Sequence, residues 1–229
     1  MRTPYNDAYM RLPFFFLAVL LVHVSLAQAQ VPTLQDKDGV YYSGPPLQSS
    51  HLLKASAAPC PVDACKVKQV VSLELVIQAD GSVGNARIIG APGPLDAAAL
   101  DAIHLATFTP AKMKGTAVAV NKQLWIAYKG NGSPGRIVEK ADRTPVPTTT
   151  PVAELTREQR EHHVQGEVLV RTLVDAAGNV ADAIVLSSPG AGLDTQALKA
   201  VNRYKFTPAK IDGQAVPVFI TVAINFRSY

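Results

Sequence analysis

A thirteen-residue stretch of this chain occurs twice. Phe108-Thr109-Pro110-Ala111-Lys112 returns as Phe206-Thr207-Pro208-Ala209-Lys210. Gly115 returns as Gly213, Ala117-Val118 as Ala215-Val216, and Val120 as Val218, so nine of thirteen positions agree at an offset of 98 residues. Upstream, Leu95-Asp96 matches Leu193-Asp194, Ala99-Leu100 matches Ala197-Leu198, and Gly81 and Val83 match Gly178 and Val180 after a one-residue gap. Repetition in fixed order means that the fold contains one small unit twice.

Each copy reads in the same way. Val71, Leu73, Leu75 and Ile77 alternate with Ser72, Glu74, Val76 and Gln78, the period of a half-buried strand. Asp80-Gly81 marks a hairpin turn, and a second strand follows over Val83 to Ile89. In copy two the strands fall at Gly166 to Val174 and Val180 to Leu186, turning at Ala177-Gly178-Asn179. A helix comes next, with Asp194 as its expected N-cap and Leu193 and Leu198 at the spacing of a hydrophobic staple; Leu95, Asp96 and Leu100 repeat the pattern. Leu193, Ala197, Val201 and Tyr204 form its apolar face, and Pro110 and Pro208 follow the two helices. The closing strand of copy two places Val216, Val218, Ile220, Val222, Ile224 and Phe226 on one face, and Pro217, Phe219, Thr221, Ala223 and Asn225 on the other. In copy one Lys122 stands where Ile220 stands, which implies a shifted register or a partly open core face.

The flanks have other characters. Phe14 to Val22 is an unbroken apolar run, preceded by Arg11 and followed by Ala27-Gln28-Ala29, so residues 1–29 read as a cleavable export signal; the alternative is an uncleaved inner-membrane anchor. Residues 30–59 show no strong period and are expected to be irregular or loosely packed on copy one. The copies themselves occupy 60–130 and 151–229, and the Gly-, Pro- and Thr-rich segment 131–150 has linker composition. The formal net charge is +4, with no basic run of the kind a nucleic-acid surface needs. Cys60 and Cys65, the two cysteines, can form a disulfide in an exported protein.

The hairpin with its Gly turn, the Gly192-Leu193-Asp194 helix start with Ala197-Leu198 and Ala200-Val201, the Phe206 to Lys210 run, Gly213, Pro217-Val218 and the strand ending in Asn225-Phe226 together resemble the C-terminal domain of TonB. The resemblance covers residues 152–229 well and 60–129 less completely. It implies an α+β fold of two tandem units, each a three-stranded antiparallel sheet with a helix on one face. It also implies binding of an extended peptide by addition to the sheet edge, because an edge strand presents unpaired backbone groups. By resemblance that edge is the last strand, with Val216, Val218, Phe219, Ile220, Thr221, Val222, Ala223 and Asn225 as its binding residues. The implied partners are a protein or peptide, such as an outer-membrane receptor or an inner-membrane energising complex, with periplasmic exposure. The alternative is a structural or assembly module of the envelope whose repeats pair with each other or with another subunit.

The remaining motifs point to no chemistry. Gly130-Asn131-Gly132-Ser133-Pro134-Gly135 matches a dinucleotide-binding glycine pattern literally, but no helix-forming pattern follows it. His162-His163 are adjacent and so diverge by about 100° on a helix, too far to share a ligand sphere. No nucleophile, acid–base pair or metal-ligand set is legible. The expectation is a binding protein rather than an enzyme, without metal or cofactor.

Overall fold

The computed structural model describes residues 34–42, 46–61, 63–64 and 66–227, so the expected signal over 1–29 and one half of the expected disulfide, Cys65, lie outside the described residues. Residues Val31–Tyr229 form one compact unit. Its first repeat runs through strands β1 (Tyr41–Tyr42), β2 (Leu52–Lys54), β3 (Lys68–Ile77) and β4 (Val83–Ile89), helix α1 (Asp96–His104), and strands β5 (Thr107–Phe108), β6 (Ala111–Met113), β7 (Thr116–Val118) and β8 (Val120–Lys129). Strands β9 (Arg136–Val138) and β10 (Val146–Thr149) and helix α2 (Arg157–Glu161) lead onward. The second repeat is β11 (Gly166–Val174), β12 (Val180–Ser187), α3 (Leu193–Val201), β13 (Lys205–Thr207), β14 (Ala209–Ile211), β15 (Gln214–Val216) and β16 (Val218–Phe226).

The fold is α+β and mostly strand. In the second repeat three strands pair antiparallel in the order β12-β11-β16. The first repeat contains the same arrangement, β4-β3-β8, but carries two additions. β1 pairs parallel to β8 at Val120 and Asn121, and β9 pairs antiparallel to it over Trp125–Ala127. The first sheet is therefore five-stranded, where three strands were expected.

Two cores follow the alternation of the strands. Leu73, Leu75 and Ile77 of β3 and Leu124 and Ile126 of β8 pack on Ala99, Ala102 and Ile103 of α1. Val168, Val170, Ile224 and Phe226 pack on Leu193, Ala197 and Val201 of α3, as the helix periodicity implied. A third cluster belongs to both repeats. Trp125, Ala127 and Val138, on the helix-free side of the first sheet, meet Val174, Phe206, Ala209, Ile211, Val216 and Val218 of the second.

The recurrence of both the turn glycine and the Phe-Thr-Pro-Ala-Lys run has one physical cause. Phe108 N–H donates to the Gly81 carbonyl at 2.9 Å, and Phe206 N–H to the Gly178 carbonyl at 2.8 Å. A Cβ at Gly178 would lie 1.9 Å from the Phe206 carbonyl oxygen, and one at Gly81 2.1 Å from that of Phe108, with both glycines at positive φ. The hairpin turn and the segment after the helix are thus locked backbone to backbone.

The expected helix cap is corrected. Helix α3 begins at Leu193 with Gly192 in the left-handed region as its cap, and no side chain caps it. The left-handed turn at Ala191 and Gly192 starts the helix one residue before the acid. The Asp194 carboxylate instead accepts a hydrogen bond from the Ser188 hydroxyl, bracing the loop while remaining in the helix's first turn, where its charge is favourable. Its counterpart Asp96 accepts from the Gly93 N–H at 2.8 Å. Lys122 settles the alternative left by the sequence. The β3–β8 register is continuous through Leu75↔Lys122, and Lys122 sits at the margin of the core, where Nζ reaches the Ser50 carbonyl at 2.7 Å and Glu139 at 2.8 Å.

The segments before each repeat are also ordered differently from expectation. Within 30–59, Leu47 and Ala58 are buried in the first core, Gln48 bridges Lys112, and β2 pairs with β5. Most of its described residues are irregular, but Leu47 and Ala58 anchor the stretch on the first core. Within 131–150, Arg143 bridges Lys210 and β10 pairs with β13. The Gly130–Gly135 run leads into strand β9, not a helix.

Gly178→Ala should destabilise the protein by more than about 2 kcal/mol in chemical denaturation, because backbone strain adds to the clash. Gly213→Ala, where φ is +81° but nothing lies within 4 Å of an added Cβ, should cost about 1 kcal/mol. Tyr128 is 1% exposed, and burial pushes its phenol up to about 12. Below about pH 10 the group is protonated folded or unfolded and has no effect; above that the unfolded chain gives up the proton first. Stability should therefore fall from pH 10 to 12 by roughly 1.4 kcal/mol per pH unit from this group, and Tyr128→Phe should flatten the decline by that amount.

Candidate functional site

The last strand was expected to form a binding edge, and its backbone directions show how much of it is open. Phe219 N–H donates to Gln123 Oε1 at 2.8 Å. The Pro217 carbonyl accepts from Gln123 Nε2 at 3.0 Å and from Trp125 Nε1 at 3.4 Å. These groups face away from β11. Backbone direction alternates along a strand, so the N–H and C=O groups of Thr221, Ala223 and Asn225 face away from β11 as well. Among the described residues no strand pairs with that side of β16, and Thr221, Ala223 and Asn225 are exposed. Three alternate residues thus offer their main-chain groups.

The other expected binding residues are distributed by the same alternation. Val218, Ile220 and Val222 direct their backbone groups to β11, and Val218 is buried in the shared core. Val216 is not part of the edge: it lies in β15 and pairs with Ala209 of β14, because Pro217 interrupts the strand. Phe219 is half-buried at the start of the edge.

The equivalent edge of the first repeat is closed. The Tyr41 N–H donates to the Ala119 carbonyl at 3.0 Å, and β1 and β9 occupy the outer side of β8 on either side of Lys122–Leu124. One repeat has filled the position with its own chain; in the other no described strand fills it.

A polar cluster positions the start of β16 against the first repeat. Glu74 of β3 is 7% exposed, accepts from Arg87 Nε at 2.8 Å and forms an ion pair with Arg171 of β11. The Arg171 guanidinium stacks 3.5 Å from the Phe219 ring centroid and 4.9 Å from that of Tyr42. Burial raises the Tyr42 phenol above its ordinary range, with the Arg171 charge opposing. Beside this cluster is a cleft of about 190 Å³ lined by Tyr42, Asn121, Gln123, Arg171, Phe219 and Thr221 with Ile220. Glu74, Gln123 and Arg171 were not singled out from the sequence. Their signal was weak: charged or amide residues at alternate positions of strands, on faces that read as solvated. Among the described residues no group of three or more His, Cys, Asp or Glu could hold a metal ion, and no helix is long and apolar enough to cross a membrane.

An antiparallel three-stranded sheet backed by one helix is present in two versions, one with its last strand covered by β1 and β9 and one with that strand, among the described residues, unpaired on its outer side. The sequence matches the family described as Gram-negative bacterial TonB protein C-terminal over residues 66–129 and 155–228, more than half of the chain, and the chain belongs to that family. It is similar to "Protein TonB" of Vibrio cholerae serotype O1, with 36% identity over 69 residues, 30% of this chain and 28% of that protein's length. A solution NMR structure of the Pseudomonas aeruginosa TonB CTD is also similar, at 21% identity and a TM-score of 0.33, covering 38% of this chain and 88% of that one.

Gln123→Ala should remove two of the three hydrogen bonds that tie the start of β16 to β8, leaving that of Trp125, and cost about 1–2 kcal/mol. Hydrogen exchange measured residue by residue should show the Phe219 amide losing protection while amides of β11 keep theirs.

Proposed function

We propose that this chain is a periplasm-facing interaction module that accepts an extended peptide as a fourth strand on the outer side of β16, in the service of energy-coupled transport at the outer membrane. The observation that carries the reading is the contrast between the two copies. The β8 edge is taken by β1 and β9, whereas among the described residues no strand pairs with the outer side of β16 at Thr221, Ala223 and Asn225. A guest strand would satisfy those groups with main-chain hydrogen bonds, leaving the side chains of Thr221, Ala223 and Asn225 to flank it. Membership of the family supports the same reading. Export through residues 1–29, or retention by them as an inner-membrane anchor, and a Cys60–Cys65 disulfide formed in an oxidising compartment belong to this proposal.

A second reading has an observation of its own. The cluster of Trp125, Ala127 and Val138 with Phe206, Ile211 and Val216 joins the repeats, as expected of an assembly module whose copies pair. That contact is made by side chains, and among the described residues no continuous sheet joins the repeats, so the two readings are compatible.

Titration of the protein with peptides from the amino-terminal segments of outer-membrane receptors should shift the amide resonances of β16 first. Ala223→Pro removes an outward-facing N–H at a place where an edge strand tolerates proline. It should leave the fold intact by circular dichroism and weaken peptide binding at least about tenfold. Unchanged affinity in this variant would exclude the β16 edge as the binding surface.

A further inference from the structure

We infer that the cleft between the repeats is a carboxylate subsite of the β16 edge, reading an acidic group at the end of the guest strand that reaches Phe219. The inference rests on the strand-addition reading. Gln123 uses its carboxamide to occupy the Phe219 N–H, the donor a guest would need next after Thr221, and the Pro217 carbonyl beyond it. The ladder therefore stops there. The terminal residue of the guest arrives beside Thr221, whose register partner on β11 is Arg171.

Among the described residues Arg171 is the one charged side chain lining the cleft. Its side chain is 12% exposed, and aromatic rings cover the guanidinium through Tyr42 and Phe219. Stacking leaves the edge of the guanidinium plane as the direction in which it can hydrogen-bond, the geometry that suits a carboxylate. Glu74 takes one N–H of Nη2, and Glu74 is itself shared with Arg87, so one carboxylate serves two guanidiniums. Asp36, the other acid that acts on Tyr42, has its Oδ1 engaged by the N–H groups of Asp38 and Val40. The cleft thus presents a held cation with donors to spare. A parallel guest would bring its amino-terminal end to it, and an antiparallel guest its carboxy-terminal end. The carboxylate is an acidic side chain in either case, or the terminal carboxylate in the antiparallel case.

Four acetylated eight-residue peptides of alternating Thr and Val test this on the full chain. One carries Glu near its amino end, one carries Glu at an amidated carboxy end, one has Gln at both places with a free carboxy terminus, and the reference has Gln at both places with an amide. Calorimetry at low salt and the β16 amide resonances are read together. One carboxylate peptide should bind about tenfold more tightly than the reference, with the advantage shrinking as salt is raised; its identity gives the strand direction and the source of the carboxylate. Thr221→Glu, which places a competing carboxylate beside Arg171, should abolish that advantage, and Thr221→Gln should retain it. Equal affinity of all four peptides with shifted β16 resonances would overturn the subsite and leave strand addition standing. Peptides that leave the β16 resonances unmoved would remove strand addition and the subsite with it. An advantage that survives Thr221→Glu would also overturn the subsite.

Discussion

The first sheet is buried on both faces, and the rest of the molecule is arranged around that fact. One face of β3 and β8 packs on α1 in the ordinary way. The other carries Trp125 and Ala127, which would lie in water if the repeat stood alone. The second repeat covers them with Phe206, Ile211, Val216 and Val218. The same contact surrounds Glu74, whose charge is balanced by Arg87 and Arg171. Burying such a group is costly unless each partner is in place, so the cluster does less to add stability than to fix where the second repeat lands. It lands with the start of β16 against Gln123 and the rest of the strand beyond the first sheet.

From this docking follows the inequality of the two edges. β8 lies within the chain's own reach, between the segment that precedes β3 and the segment that follows Lys129, and both fold back onto it. Among the described residues β16 has no such neighbour. Sequence similarity between the repeats is greatest just before these strands, yet their surroundings make one a closed element and the other an unsatisfied one. Unpaired strand edges are normally hidden because they invite association. Here Thr221, Ala223 and Asn225 remain exposed.

Much of the fold was legible because it depends on periodicity. The strands at Val83–Ile89 and Gly166–Val174 fall where the alternation of Val, Leu and Ile placed them, and the buried stripe of α3 is the one its spacing implied. The helix cap was misread because Asp194 is a good capping residue by type, while the left-handed backbone at Gly192 decides where the helix starts. The edge was legible in the even–odd pattern from Val218 to Phe226, though its first member was lost to Pro217. Arg171, Glu74 and Gln123 could not be recognised as a site, since each gains its role from a residue about a hundred positions away. β1, β2, β9 and β10 were missed because they pair through the main chain, which leaves little mark on side-chain identity.

Those main-chain pairings also set the extent of the repeated unit. Gln48 bridges Lys112 and Arg143 bridges Lys210; β2 then embraces Phe108 as β10 embraces Phe206. The two clasps occupy the same place, although the stretches that form them share no evident sequence. The unit repeated in the structure is therefore arm and sheet together, longer than the part whose residues match. A second half cut out at residue 151 would begin after its own arm and would lack the strand that holds Phe206 in position.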